Sequence, residues 1–285
     1  MLPNDLIKRY EIASVGFTVE TPEYFSDSPP YSLFLSQDGP VAAKYQFSYV
    51  PALPDEHGEI LYQSDYVTVT EREGQRYRFV STGSEKLPYS CTCLSTSGEK
   101  IPVYLTEHAP KMWGGLMLES LGLEHLLAKY DRMILHASYI AADGGAILFT
   151  GPCQIGKSTQ AELWRRYRGA DVINGDRACL SADAGSVMAH GLPVSGTSRI
   201  CYNRSMPVRA IVALEQANNN QLEFLTGGAA LRVLYSGTWV NTWDSSDVES
   251  ILTLIQNIVT HIPVVRLRCL PDRTAVDLLA EAIMR

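Results

Sequence analysis

The pattern of apolar and polar residues divides the chain into a strand-rich first part and a second part that mixes strands with helices. Runs of β-branched and aromatic residues at 12–20 and 66–70 predict strands in the first part. Apolar residues at helical spacing over 116–130 predict an amphipathic helix where this pattern changes. We therefore expect a β-rich accessory or recognition module at 1–115 and a second domain at 116–285.

A hairpin is predicted at the start of the second domain. The apolar runs 133–141 and 146–150 are separated by a segment that contains Asp143-Gly144, and Asp-Gly between two apolar runs is a strong hairpin signal. The strand that ends at Thr150 should then be antiparallel to its predecessor, whereas RecA-type enzymes and GTPases build it into a parallel sheet. With the hairpins and helices that follow, the pattern predicts an α+β or mixed α/β fold, with a largely antiparallel sheet flanked by helices.

The residues directly after this strand match the phosphate-binding pattern G-x-x-x-x-G-K-[ST]. They are Gly151, Pro152, Cys153, Gln154, Ile155, Gly156, Lys157, Ser158 and Thr159. Glycines let the backbone curl until its N–H groups face an anion, and the positive end of the next helix points at the same place. Lys157 adds a charge, and Ser158 offers a hydroxyl ligand for Mg²⁺. A plain glycine-rich turn is the alternative. The motif predicts binding of a nucleotide or another polyphosphate.

Composition and charge narrow the partners of the protein. The formal net charge of −7 argues against binding to nucleic acid or to an anionic membrane, because both require a basic face. The first residues lack the apolar stretch of a secretory signal, and no run approaches the ~20 apolar residues that span a bilayer. The six cysteines form no C-x-x-C pair, which favours reduced thiols. We expect a cytoplasmic protein, and homo-oligomerisation stays open.

Three segments downstream of His136 carry a resemblance to a known family. They are Gly156-Lys-Ser-Thr-Gln-Ala-Glu-Leu-Trp164, Ile173-Asn-Gly-Asp-Arg177 and Gly191-Leu-Pro-Val-Ser-Gly-Thr197. Their order resembles the catalytic domain of HPr kinase/phosphorylase and, more distantly, the nucleotide core of phosphoenolpyruvate carboxykinase. The closer resemblance is to HPr-kinase-like proteins found beside peptide-maturation genes, including kinases of lasso-peptide precursors. It covers roughly residues 120–285.

The resemblance implies a kinase that uses ATP and Mg²⁺ and transfers the γ-phosphoryl group to a hydroxyl, in particular a serine of a peptide or protein. Residues 151–159 would hold the phosphates, and Ser158 and Asp176 would bind the metal ion. Asp176, His136 and Lys157 would act in catalysis. No segment associated with the reverse, phosphorolytic reaction is found, which favours a kinase without phosphorylase activity.

The sequence also departs from the family at two positions. Gly175 stands where the family has the first of two adjacent aspartates, so metal binding and base catalysis would both fall on Asp176. Gln154 stands where the bifunctional enzymes have a further glycine. A kinase of a small hydroxyl metabolite and a nucleotide-binding regulatory protein that has lost its chemistry therefore stay open. So do structural roles for His136, as a core histidine, and for Arg177, as a surface arginine.

Overall fold

The computed structural model describes residues 7–22, 29–81, 87–94, 100–106, 119–183, 185–194 and 196–283. The chain divides into two compact units. The first consists of Met1–Leu126 with Asn241–Ser245, and the second consists of Leu127–Val240 with Ser246–Arg285. The predicted boundary between residues 115 and 116 lies outside the described residues. The recognition role of the first module stays a prediction.

The first unit contains one eight-stranded sheet. Its strands are β1 (Ile7–Ile12), β2 (Val15–Glu20), β3 (Ala43–Tyr49), β4 (Glu59–Gln63), β5 (Val67–Arg72), β6 (Gln75–Ser81), β7 (Pro88–Leu94) and β8 (Lys100–Leu105). They lie in the order β1-β2-β3-β8-β7-β6-β5-β4, and a single helical turn, α1 (Pro29–Ser32), follows β2 in the chain. The pairs β2–β3 and β3–β8 are parallel, and the other neighbours are antiparallel. The strand-rich character predicted for this part is confirmed.

The run 12–20 was expected to be one strand, and this prediction is wrong. The chain reverses between β1 and β2 at Ala13 and Ser14, whose φ angles are 50° and 64°. Two consecutive residues with positive φ form the turn that matches the twist of a two-residue hairpin, and Asn-Gly or Asp-Gly normally occupies it. Because Ala-Ser carries no such signal, the sequence pattern did not show the turn.

The second eight-stranded sheet lies in the second unit. Its strands are β9 (Arg132–Ala142), β10 (Gly145–Thr150), β11 (Asp171–Asn174), β12 (Arg177–Asp183), β13 (Ser186–His190), β14 (Ser205–Gln216), β15 (Gln221–Leu225) and β16 (Val264–Cys269). The helices in this part of the chain are α2 (Leu123–Ala128), α3 (Lys157–Arg168), α4 (Gly227–Gly237), α5 (Ser245–His261) and α6 (Arg273–Ile283). Within the described residues, every helix is too short or too polar to cross a membrane.

The hairpin before the phosphate-binding motif is confirmed. β9 and β10 are antiparallel, and Asp143 and Gly144 connect them with φ angles of 46° and 78°. On its other edge β10 pairs in parallel with β14, which pairs in parallel with β16. The remaining pairs are antiparallel: β9 with β11 and with β12, β12 with β13, β13 with β14, and β15 with β16. The mixed, largely antiparallel sheet that we predicted is therefore present, and the fold is mixed α/β.

The middle of this sheet is buried on both faces. Leu148 of β10 packs into a hydrophobic core that includes Ile255 of α5, whereas Ile147 and Phe149 pack into a second core that includes Trp164 of α3. All residues of β10 are buried. Because helices cover both faces, the accessible part of the sheet is the edge formed by the strand ends. The carboxyl ends of the parallel strands β10, β14 and β16 lie at that edge, where α/β proteins bind ligands.

Candidate active site

The phosphate-binding motif forms a tight loop between β10 and α3. Gly151, Gln154 and Gly156 have φ angles of 143°, 63° and 113°, all in the region that favours glycine. Gln154 adopts this left-handed conformation although it is not a glycine. The backbone of the loop therefore keeps a path that suits glycine, with a glutamine in its place.

The first turn of α3 presents free backbone donors to the loop. Gly156 is the N-cap residue and provides no side-chain cap, and the first helical hydrogen bond runs from the Gln160 N–H to the Gly156 carbonyl at 2.9 Å. The N–H groups of residues 157–159 precede that bond and have no partner within the helix. Such donors, together with the helix dipole, favour an anion at this position. The side chains of Ser158 and Thr159 are exposed on the same turn.

Lys157 closes the loop. Its side chain is buried, and Nζ donates to the carbonyls of Gly151 at 2.9 Å and Pro152 at 3.0 Å. Burial lowers the pKa of Lys157, and electrostatic interactions with Cys153 and Asp176 act in the opposite direction. The ammonium group therefore lies against the loop backbone, and the catalytic role predicted for Lys157 stays a prediction.

A buried asparagine holds Asp176 in place. Asn174 at the end of β11 is fully buried, and its Oδ1 accepts the backbone N–H groups of Asp176 and Arg177, each at 2.9 Å. Its Nδ2 donates to the carbonyls of Leu192 at 3.0 Å and Val194 at 2.7 Å. One side chain thus fixes the turn that carries Asp176 and ties it to the segment after β13.

His136 and Arg177 lie on either side of the Asp176 carboxylate. Nε2 of His136 is 3.9 Å from Oδ1, and Nε of Arg177 is 3.1 Å from Oδ2. Burial lowers the pKa of His136, and the charges of Lys157 and Arg177 lower it further against the opposing effect of Asp176. The imidazole is therefore neutral at neutral pH. The guanidinium of Arg177 lies 5.2 Å from the ring centroid of Trp239, a cation–π contact.

Glycine is required beside Asp176 for reasons of space. A Cβ atom at position 175 would lie 2.1 Å from Oγ of Ser198, and one at position 196 would lie 2.8 Å from Cγ of Asp176. An aspartate in place of Gly175 would therefore displace Ser198. The side chain of Ser198 thus occupies the space that a second carboxylate at this turn would need.

The structure brings three of the predicted residues, Lys157, Asp176 and His136, to one site. Cys153 is exposed in the loop, and Ile155 is partly buried beside Gly151. The metal-binding role predicted for Ser158 and Asp176 stays a prediction. The sequence did not single out Asn174 or the contact between Arg177 and Trp239, although Asn-Gly-Asp after a strand is a sequence in which asparagine commonly bonds to the following backbone.

Neither a protein-family profile nor a curated protein sequence matches this chain. Among solved structures, it is similar to the structure of the Hpr(Ser) kinase/phosphatase from Coxiella burnetii. The similarity covers 53% of this chain and 93% of that chain, with 16% sequence identity and a TM-score of 0.30.

Proposed function

We propose that this protein is a kinase that transfers the γ-phosphoryl group of ATP to a hydroxyl group, most specifically to a serine of a peptide or protein. The observation that carries the proposal is a phosphate-binding loop closed by Lys157, whose Nζ donates to two loop carbonyls, in the same unit as a carboxylate, Asp176, that His136 and Arg177 flank. Phosphoryl transfer depends mainly on such positioning and charge neutralisation.

The loop fits a polyphosphate. The ammonium group of Lys157 is held by two loop carbonyls, and the N–H groups of residues 157–159 supply further donors. When phosphates occupy the loop, Lys157 exchanges its carbonyl contacts for phosphate oxygens, which gain more from a full positive charge than neutral carbonyls do.

The oxygen donors near the loop fit Mg²⁺. The Ser158 hydroxyl is exposed at the start of α3, and Asp176 supplies the hard carboxylate oxygen that this ion prefers. These two residues would hold the ion, which neutralises charge on the phosphates when it is bound.

Asp176 also has the position of a general base. Arg177 fixes Oδ2, and Oδ1 lies on the side of the neutral His136. Oδ1 therefore accepts the proton of the acceptor hydroxyl, while His136 orients that hydroxyl by a hydrogen bond. Arg177 keeps the carboxylate in one orientation and adds positive charge near the transferring group.

Exposed apolar side chains around this site support a peptide or protein acceptor. Ile200 is 36% exposed and its carbonyl accepts the Gly175 N–H, so it lies beside the turn of Asp176. Tyr202 is 55% exposed, and Trp239, at 45%, covers Arg177. A small polar metabolite does not need such a rim, whereas the side chains that flank a serine in a peptide would pack against it.

Transfer of label from γ-labelled ATP tests the proposal. The wild-type protein is incubated with Mg²⁺ and two panels, one of serine-containing peptides (including any peptide encoded beside this gene) and one of sugars, polyols and amino acids. We expect labelled peptide, and a rate lower by ~10²-fold or more for Asp176→Asn. Transfer of label only to small hydroxyl compounds would identify a metabolite, rather than a peptide, as the acceptor. Nucleotide binding without transfer to any acceptor would overturn the kinase assignment.

A further inference from the structure

A cavity of about 620 Å³ lies beside the phosphate-binding loop. Gln154, Ile155 and Gly156 of the loop and the first turn of α3 form one wall. The other wall comes from the ends of two strands, with Gln216 at the end of β14 and Cys269 at the end of β16. The volume lies in the range of about 300–1,000 Å³ that small-ligand sites occupy. A ligand in this cavity would touch the loop itself.

The lining of the cavity combines apolar side chains with neutral polar ones. Ile155, Leu214 and Pro271 supply apolar surface, and the polar side chains that line it carry amides, a hydroxyl or a thiol. Among the residues that the structure describes, none with a charged side chain lines the cavity. This lining suits a flat, neutral ring with hydrogen-bonding groups at its edge, and does not suit further phosphate groups.

Gln160 leaves one polar atom without a partner in this wall. Its side chain is only 3% exposed, and Nε2 donates to Sγ of Cys269 at 3.3 Å. Oε1 is buried and finds no donor in the part of the chain that the structure describes. A buried oxygen without a hydrogen bond is costly, and such atoms mark places where a ligand or water completes the site.

We propose that this cavity binds the base of the nucleotide whose phosphates occupy the loop, with Oε1 of Gln160 accepting a hydrogen bond from an amino group of that base. The proposal rests on the proposed function, because the loop must hold the phosphates. The apolar wall packs against the faces of the ring. Gln216 and Asn218 also line the cavity and supply amides for the polar edge of the ring, and the base that we propose is an amino-substituted purine such as adenine.

Calorimetric titration of the wild-type protein with ADP and with inorganic tripolyphosphate separates the two parts of the site. We expect ADP to bind more tightly than tripolyphosphate. Gln160→Leu removes the acceptor and should weaken ADP binding by about tenfold, the usual cost of one lost hydrogen bond to a buried group. Ala217→Phe fills the cavity and should weaken ADP binding at least as much. Tripolyphosphate binding should stay unchanged in both variants, which also shows that they are folded.

The matched control is Gln256→Leu, the same substitution at an exposed position of α5, which should leave both affinities unchanged. The diphosphate of purine riboside lacks the 6-amino group. It should bind to the wild type about tenfold more weakly than ADP does, whereas the two nucleotides should bind to Gln160→Leu with equal affinity. If Gln160→Leu and Ala217→Phe bind ADP as the wild type does, the base site is refuted while phosphate binding stands. If the wild type binds neither ADP nor tripolyphosphate, the proposed function fails and the base site with it.

Discussion

A polar cluster lies near each end of strand β12, one around His190 of the neighbouring β13 and one around His136 of the neighbouring β9. The two clusters differ in how many of their polar atoms have hydrogen-bond partners. Near one end, His190 is buried, with Nε2 at 3.0 Å from Oγ of Ser181 and Nδ1 at 2.8 Å from Oγ of Ser205. Near the other end, the side chain of His136 is 37% exposed and lies 3.9 Å from the carboxylate of Asp176, beyond hydrogen-bonding distance. Both histidines lie on strands, and their sequence contexts look alike.

The two environments separate a histidine whose ring is fully bonded within the fold from one whose ring is open to a ligand. Both ring nitrogens of His190 have hydroxyl partners, so its polar capacity is used within the fold. Burial lowers the pKa of His190 to about 4, with a further decrease from Arg132 and an opposing effect from Asp183. The cluster around Asp176 instead leaves hydrogen-bonding capacity for a ligand. The sequence left open that His136 is a core histidine. That description fits His190, which is buried and bonded through both ring nitrogens.

The largest effect is expected from Lys157→Met, which removes the charge from the loop and keeps an unbranched side chain. Loss of a preorganised positive group at a transferring phosphate lowers the transfer rate by about 10³-fold or more. The measurement is the initial rate of label transfer from ATP. The control is Lys129→Met, the same change at an exposed lysine, which should leave the rate unaltered. A Lys157→Met rate within a few-fold of the wild type would mean that the loop does not serve catalysis.

The next effect is a loss of stability in acid that depends on His190. The pKa of His190 is about 4 in the folded protein, against 6.5 for an ordinary histidine, so the unfolded state binds more protons between these values. Stability is therefore complete above pH ~6.5 and falls as the pH approaches ~4, by roughly 3 kcal/mol at most. Urea unfolding across this range measures the slope. The slope should be reduced in His190→Asn, and an unchanged slope would assign it to other groups.

Substituting each histidine by asparagine sharpens the comparison. His136→Asn should lower the transfer rate by about 10- to 100-fold and change the free energy of unfolding by less than about 0.5 kcal/mol. His190→Asn should cost about 1–3 kcal/mol of stability, because it disturbs a buried, fully bonded cluster, and leave the rate of the folded protein unchanged. Rates and urea unfolding at neutral pH, measured on both variants, give the answer. Loss of activity in His190→Asn at full stability would break the distinction.

The smallest effect is expected at the rim of the site. Trp239→Leu removes the ring that covers the guanidinium of Arg177 at 5.2 Å. An exposed contact of this kind contributes about 0.5–1 kcal/mol, so the specificity constant for a peptide acceptor should fall about 2- to 5-fold. The KM for ATP should not change, because Trp239 does not line the loop. A change confined to the KM for ATP would contradict the assignment of this rim to the acceptor.

The features that the sequence predicted are those encoded locally. Asp143-Gly144 predicted the hairpin before the loop, and these two residues form its turn with positive φ angles. The nine-residue loop was recognised because its spacing is itself the motif. By contrast, the turn at Ala13 and Ser14 was missed, because it uses residues that seldom adopt positive φ.

The features that were missed depend on contacts between distant residues. Asn174 is fixed by hydrogen bonds to the carbonyls of Leu192 and Val194, and this fixed side chain holds the turn of Asp176. Because these partners lie 18 and 20 residues away in the chain, no local sequence pattern predicts the bonds. Gln160 looks like an ordinary helix residue until its Oε1 is seen to lack a donor within the described residues. The approach of His136 to Asp176 was expected only from the family resemblance. It becomes visible in the structure because Arg177, the neighbour of Asp176, is the register partner of His136 across β9 and β12.

The most direct test of the central claim is a crystal structure of the protein with Mg²⁺ and a non-hydrolysable ATP analogue. The account predicts that the triphosphate lies in the loop formed by residues 151–159, with its terminal phosphate between Nζ of Lys157 and the carboxylate of Asp176. A triphosphate bound elsewhere, or a terminal phosphate directed away from Asp176, would contradict it.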